Sequence, residues 1–331
     1  MHKGEFCMEK VRAAVCGYGN LGRAVERALA ASDDLFPAAV FTRRPQVAAA
    51  QTDTPVFELE ALFAPHPELD VAILCGSSAY DLAWQTPRCA EFLPFVDSFD
   101  IHSQARRHFD EANAAARGAG TVGVVSAGWD PGLFSLDRCL GEAFLPGGHT
   151  ATFWGKGVSQ GHSAAIRGVA GVRDARQYTV PDPLRVAEAR EADAPARAAQ
   201  SLHVRECCVV AEPGADKKRI EREIRSMPGY FEGWRTRVHF VSERWLRRRA
   251  GMQHAGRVIR AGRAPDASAH VMERALTLGS NPAFTANVLC ACARAAVRLA
   301  KSGATGCRTM LDIPPALYHP AGGRFLLQQL L

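Results

Sequence analysis

The chain is most constrained near its start, by Gly17-Tyr18-Gly19-Asn20-Leu21-Gly22. An apolar segment, Val11 to Cys16, precedes this run, and a helix-like segment, Leu21 to Ala31, follows it. In that setting each glycine has its own task. Gly17 permits a tight turn, Gly19 lets the backbone approach a pyrophosphate, and Gly22 lets a helix pack closely on a strand. The helix N-terminus then offers N–H groups and a partial positive charge to phosphates. About twenty residues further on, where such sites read the ribose, stand Thr42-Arg43-Arg44. An acid there binds the ribose 2′-hydroxyl of NAD, whereas an arginine accommodates the 2′-phosphate of NADP. The pattern points to NADP(H). The alternative is a glycine turn followed by two solvated arginines.

The segments after the glycine run alternate in period. Strand-like runs fall at Val11–Cys16, Ala38–Thr42, Val71–Cys75, Phe95–Ser98 and Thr121–Ser126. Helix-like stretches lie between them, at Leu21–Ala31, Phe57–Phe63, Ala79–Phe92 and Ser103–Arg117. Such alternation predicts an α/β fold, a Rossmann-type doubly wound parallel sheet. Ligands of such sheets bind beyond the carboxyl ends of the strands. Those ends carry Gly17-Tyr18-Gly19, Thr42-Arg43-Arg44, Cys75-Gly76-Ser77-Ser78, Ser98-Phe99-Asp100 and Ala127-Gly128-Trp129-Asp130.

Past Ser126 the pattern changes. Asp130-Pro131 reads as a helix start, with Asp as N-cap and Pro at the first helical position. Strand-like runs follow at Ala151–Trp154, Gln177–Val180, Leu202–Val210 and Arg237–Ser242, with a helix at Asp216–Arg225. This predicts a second, α+β domain built on a mixed open sheet. Leu184–Gln200 reads as an exposed helix or linker, and Pro282–Lys301 as a long helix. The expected division is residues 1–130 for the nucleotide, 131–280 for substrate and dimerisation, and 281–331 for a helical segment packing back on the first domain.

Composition sets limits. The 331 residues are 47% hydrophobic and 22% charged, as in ordinary globular chains. No apolar stretch is read as long enough to span a bilayer. Met1 to Lys10 lacks the apolar core of a secretion signal and reads as a disordered lead-in, with Met8 an alternative start. The net charge of +6 is spread along the chain, apart from the run Arg244-Trp245-Leu246-Arg247-Arg248-Arg249. No nucleic-acid motif accompanies that run, which reads as a solvated face. The ten cysteines form no paired CxxC knuckles, so no structural zinc site is expected. Cys16 and Cys75 read as small buried hydrophobes. Reduced thiols fit a cytoplasmic protein.

Several strings are more specific than the glycine turn. They are Val96-Asp97-Ser98-Phe99-Asp100, Val125-Ser126-Ala127-Gly128-Trp129-Asp130-Pro131-Gly132, Thr152-Phe153-Trp154-Gly155, Ser159-Gln160-Gly161-His162-Ser163, Arg176-Gln177-Tyr178-Thr179 and Asn281-Pro282-Ala283-Phe284-Thr285-Ala286. In this order, from Val11 to beyond Ala286, the chain resembles the meso-diaminopimelate dehydrogenase family. The resemblance implies a homodimeric, NADP-dependent enzyme without membrane or nucleic-acid partners. It oxidatively deaminates the D-centre of meso-2,6-diaminopimelate to L-2-amino-6-oxopimelate and ammonia, reversibly, and the product cyclises to tetrahydrodipicolinate. By resemblance, cofactor contacts fall on Gly17, Tyr18, Gly19, Asn20, Leu21 and Gly22, on Thr42, Arg43 and Arg44, and on Cys75, Gly76, Ser77 and Ser78. They continue on Ser98 and Phe99 and on Ala127, Gly128, Trp129, Asp130 and Pro131. Substrate contacts fall on Asp100, Asp130, Trp154, Thr179, Arg205, His254 and Asn281. The chain departs from the family pattern at Ser242 to Ala269, where the placement of His254 rests on Gly251-Met252-x-His254 alone.

The residue types suit the substrate class. Two ammonium and two carboxylate groups need both acceptors and donors. Asp100 and Asp130 suit an ammonium at the reacting centre, and either can take its proton. Arg205 can grip a carboxylate with charge-assisted hydrogen bonds. Thr179, His254 and Asn281 supply donors, and Trp154 an apolar wall. Structural alternatives stand beside these roles. Asp130 serves equally as an N-cap, Asp100 as a strand-end cap, Arg205 as a solvent-facing strand residue and Trp154 as core. His162 reads as part of a loop and is left out of the catalytic set. Two other classes fit the glycine turn: another NADP-dependent dehydrogenase of an amino acid or semialdehyde, and a non-catalytic NADP(H) sensor.

Overall fold

A computed structural model describes residues 10–249, 251 and 253–331. The expected lead-in with its alternative start, and Met252 of the Gly251–His254 string, lie outside the described residues. The chain forms two compact units. One runs to Leu136 and takes up Pro282–Leu331, and the other is Asp137–Asn281.

The first unit holds strands β1 (Val11–Cys16), β2 (Leu35–Thr42), β3 (Val56–Glu58), β4 (Val71–Leu74), β5 (Phe95–Asp97) and β6 (Val122–Val124). Helices α1 (Asn20–Ala30), α2 (Pro45–Ala49), α3 (Leu82–Ala90) and α4 (Ala105–Ala119) connect them. With the strand Gly306–Arg308 at one edge, the sheet order is Gly306–Arg308, β6, β5, β4, β1, β2, β3, and all pairs are parallel. The order reverses between β1 and β4, which is where such sheets bind ligands. Strand β1 reads Val-Arg-Ala-Ala-Val-Cys, and its last four residues, Ala13 to Cys16, are fully buried. Ala13 and Val15 join the core cluster on one face, and Ala14 and Cys16 join the cluster on the other. Alternate residues point to opposite faces, and here both faces are covered.

Three readings of this unit need correction. Phe57–Phe63 is no helix: Val56–Glu58 pairs with β2 as an edge strand, and a 3₁₀ turn, Leu59–Leu62, follows. Pairing to a neighbouring strand overrides the local preference there. Asp130-Pro131 does not start a helix either. The two residues, joined by a cis peptide, form the turn between the bridged residues Trp129 and Gly132, and α5 begins at Leu133 and ends at Phe144. Finally, Asn281–Lys301 is long and apolar enough to cross a membrane by length and composition. Half of its apolar window is buried. Ala286, Leu289, Cys292, Ala293 and Ala296 belong to the first core cluster, and Arg294 bonds Asp34 and the Tyr318 carbonyl. These are the marks of a core helix.

The second unit holds β7 (His149–Trp154), β8 (Gly157–Ser159), helix α6 (Gln160–Arg167), β9 (Val172–Pro181), β10 (His203–Ala211), β11 (Thr236–Phe240), β12 (His254–Arg263) and β13 (Ala269–Leu278). The expected mixed sheet is present in the order β11, β10, β9, β8, with β10 and β11 parallel and the other pairs antiparallel. A second, antiparallel sheet in the order β13, β12, β7 was not foreseen. Ser159-Gln160-Gly161-His162-Ser163 is not a loop: the Ser159 side chain caps α6 by accepting from the His162 N–H. The arginine run lies on the short helix Glu243–Arg247, with Leu246 buried and Arg249 stacked 3.9 Å from the centre of the Trp245 ring.

Candidate active site

In the first unit the turn after β1 opens a cavity of about 280 Å³, lined by Gly17, Tyr18, Gly19, Thr42, Arg43, Arg44, Cys75, Gly76 and Ser77 with Asp81 and Gln85. The glycines are required in different ways. Gly17 has φ +89°, and a Cβ on Gly22 would lie 1.9 Å from the Gly17 carbonyl oxygen. A Cβ on Gly19 would meet nothing within 4 Å, so this glycine leaves the approach to α1 open. Helix α1 has Gly19 as its N-cap, with no capping side chain and no acid in the first turn. The helix itself therefore places no anion against its N-terminal N–H groups and positive end.

Arg43 pairs with Asp81 at 3.1 Å while its side chain stays 67% exposed. Asp81 also accepts from the Ser77 N–H at 2.9 Å, which ties the strand-end loop after β4 to the arginine. The Arg44 guanidinium has no ion-pair or hydrogen-bond partner among the described residues. A glycine cradle, an uncapped helix end and two exposed arginines fit a dinucleotide bearing a 2′-phosphate.

The neighbouring strand ends gather Ser78, Ser98, Phe99 and Asp100. The Asp100 N–H donates to Ser78 Oγ at 3.0 Å, and Ser98 Oγ to the Leu74 carbonyl at 3.4 Å. Asp100 is exposed. Ala127, Gly128, Trp129, Asp130 and Pro131 form the turn after β6, where Trp129 meets Phe134 edge to face at 5.3 Å.

In the second unit Trp154, Thr179, Arg205 and His254 stand near one another on four strands. Thr179 is the cross-strand partner of Arg205 and of Gly157. His254 packs on Gly157 so closely that a Cβ there would lie 2.2 Å from the ring. Trp154 pairs with Gly256 on β12, stacks on His203 at 5.3 Å, and donates its backbone N–H to His203 Nε2 at 2.9 Å. Asn281 opens the long helix beyond β13. Burial lowers the proton affinity of both His254 and His203.

Arg205 is the anomaly of this unit. It is 7% exposed, with its guanidinium 3.6 Å from the centre of the Trp234 ring and 5.6 Å from that of Phe231. Its Nη1 donates to His162 Nε2 at 2.6 Å. Among the described residues its buried Nε has no hydrogen-bond partner and no carboxylate pairs with it. Burial pulls its pKa down to about 10. A buried cation without a counter-charge is costly. His162, which the sequence reading set aside, belongs to this cluster. Because Nε2 accepts from Arg205, Nδ1 carries the proton and donates to Ser159 Oγ at 2.7 Å. Burial and the adjacent guanidinium push its pKa down to about 4. Its signal in the sequence was the Ser-Gln-Gly-His-Ser string; Trp234 and Phe231 carried none.

A glycine turn at the reversal point of a parallel sheet is the arrangement of a dinucleotide-binding protein. Comparison with known proteins narrows the class. The family model of the diaminopimelic acid dehydrogenase C-terminal domain matches residues 128–280. The chain is 47% identical to the meso-diaminopimelate D-dehydrogenase of Ureibacillus thermosphaericus over 326 residues, which covers 98% of this chain and 100% of that one. The structure of C. glutamicum DAP dehydrogenase in complex with DAP matches with a TM-score of 0.91 at 40% identity, covering 98% of this chain and 100% of the other. An engineered D-amino acid dehydrogenase bound to NADP+ matches with a TM-score of 0.87 at 39% identity, covering 97% and 100%. The chain belongs to the meso-diaminopimelate D-dehydrogenase family and is an oxidoreductase.

Proposed function

We propose that this enzyme catalyses the NADP-dependent oxidative deamination of the D-centre of meso-2,6-diaminopimelate. The products are L-2-amino-6-oxopimelate, which cyclises to tetrahydrodipicolinate, and ammonia; the reaction is reversible. The observation that carries the reading is Arg205, a buried guanidinium without a carboxylate partner among the described residues. It suits a substrate carboxylate, with Thr179, His254 and Asn281 as further donors and Trp154 as the wall. Arg43 and Arg44 support NADP over NAD, with Gly17 to Gly22, Cys75 to Ser78, Ser98-Phe99 and Ala127 to Pro131 forming the rest of the cofactor site. The nicotinamide, when bound, would supply the hydride acceptor for the D-centre Cα. The chain's own part is to hold the ammonium between Asp100 and Asp130 and to remove its proton as the C=N bond forms. Water then adds to that carbon and ammonia leaves.

Exposed Leu140 and Phe144 on α5, and Val271 and Met272 on β13, support a homodimer. The nine described cysteines are all unpaired thiols, which supports a reducing, cytoplasmic setting.

The test is steady-state reduction of NADP+ and of NAD+ with the stereoisomers of diaminopimelate. Turnover is expected with the meso compound and NADP+, and none with the L,L-isomer, which lacks a D-centre. Absence of turnover with the meso compound overturns the reading.

A further inference from the structure

The carboxylate of Asp97, at the end of β5, is completely buried. Its Oδ1 accepts from the Phe99 N–H at 3.1 Å and from the Ser126 N–H at 2.7 Å. Its Oδ2 accepts from Thr86 Oγ1 on α3 at 2.9 Å and from His108 Nε2 on α4 at 2.5 Å. Its backbone carbonyl accepts from the Ala127 N–H at 2.9 Å. One residue thus joins two strand-end turns and two helices. The His108 ring lies flat on Phe99, with centres 4.0 Å apart and planes 9° from parallel. His108 Nδ1 is buried with no partner among the described residues, which places the ring proton on Nε2, facing Asp97. Ser126 has φ +53°, a left-handed conformation that disfavours any residue with a Cβ; its N–H bond to Asp97 holds it there.

Each turn carries one of the two candidate proton acceptors. The turn after β5 leads through Ser98 and Phe99 to Asp100, and the turn after β6 through Ala127 and Gly128 to Asp130. We propose that Asp97, backed by His108 and Thr86, is a positioning residue that fixes these two turns against each other and so sets the geometry of Asp100 and Asp130 at the amine. This rests on the reading that Asp100 and Asp130 serve the deamination. Asp97 lies beneath the turns, in the core, and acts through the backbone N–H groups it holds.

The test compares the parent enzyme with Asp97→Asn, which keeps the shape but replaces one acceptor oxygen by an amide NH2. Three quantities are measured: Kd for NADP+, kcat with meso-diaminopimelate, and the deuterium isotope effect for substrate labelled at the D-centre Cα. The expected result is a fall in kcat of about 10²-fold, the size of a misplaced reacting group, with a larger isotope effect and Kd for NADP+ held within about threefold, under 1 kcal/mol. An unchanged kcat, or a fall matched by loss of NADP+ binding, overturns the inference. Should Asp97→Asn fail to fold, His108→Gln and His108→Leu decide. The glutamine keeps a donor to Asp97 and should retain kcat, while the leucine should lose about tenfold, the worth of one buried hydrogen bond. Equal kcat in the two overturns the proposal. A parent enzyme without meso-diaminopimelate turnover refutes the functional reading and this inference with it; an active parent with an unimpaired Asp97→Asn refutes this inference alone.

Discussion

The two units present their cations differently. Arg43 is two-thirds exposed and already paired with Asp81, and Arg44 is exposed beside it. Arg205 is buried, pressed against Trp234 and His162, and paired with no carboxylate among the described residues. An exposed guanidinium keeps its water until a ligand arrives and its charge is screened, so each contact contributes modestly. A buried one has lost its hydration and its rotamer freedom on folding, so an arriving carboxylate meets a preorganised partner. On the proposed reading, the glycine-turn end exchanges a large cofactor and the Arg205 cluster discriminates a small substrate.

The sharpest way to break this contrast is Arg205→Met. The expected loss in kcat/KM for meso-diaminopimelate is at least about 10²-fold, or ~3 kcal/mol, the size seen when one side of a buried charge pair is removed. It should fall chiefly on KM, because the lost contact serves ground and transition states alike. Thermal stability should hold or rise, since an unpaired buried cation gives way to an apolar chain. An unchanged KM places Arg205 outside the substrate site.

At the other end, Arg43→Asp combined with Arg44→Ala should move the preference from NADP+ toward NAD+. A shift of about tenfold to 10²-fold in the ratio of kcat/KM values corresponds to one charge-assisted hydrogen bond of ~1.5–3 kcal/mol. A change confined to stability contradicts the 2′-phosphate role.

The smallest effect is in acid. His162 binds its proton near pH 6.5 in the unfolded chain and near about 4 in the folded one. The unfolded state therefore takes up more protons, and stability that is full above pH 6.5 is lost progressively as pH falls toward about 4. His162→Gln should flatten the melting temperature over this window. An equally steep pH dependence in the variant shows that other groups cause it.

How much of this was legible follows the same divide. The run Val11–Cys16 is a strand over those same residues, because a strand covered on both faces leaves an apolar stretch, here Ala13 to Cys16, with Arg12 at its entry paired to Asp70. Its turn was legible because steric demands at Gly17 and Gly22 admit only glycine. The sheet of β7, β12 and β13 was hidden by its charges. Strand β12 carries Arg257, Arg260 and Arg263, and β13 is exposed along most of its length. Arg260 is tolerated inside because the Leu145 and Pro146 carbonyls and Thr150 accept from it, partners more than a hundred residues away in sequence. Arg205 was ambiguous for the same reason. Val204-Arg205-Glu206 alternates like any half-exposed strand, and its middle member is covered by Trp234, Phe231 and His162, all distant in sequence. Asp130 was misread as a cap because Asp-Pro opens helices and tight turns alike.

The most direct measurement follows one hydrogen atom. Meso-diaminopimelate carrying deuterium at the Cα of its D-centre, or separately of its L-centre, is turned over with NADP+, and the NADPH formed is analysed by mass spectrometry. One deuterium should reach NADPH from the D-labelled substrate and none from the L-labelled one, whose label should stay in the product. Transfer from the L-centre, or retention of the D-label in the product, contradicts the assignment of this chain as a D-centre dehydrogenase.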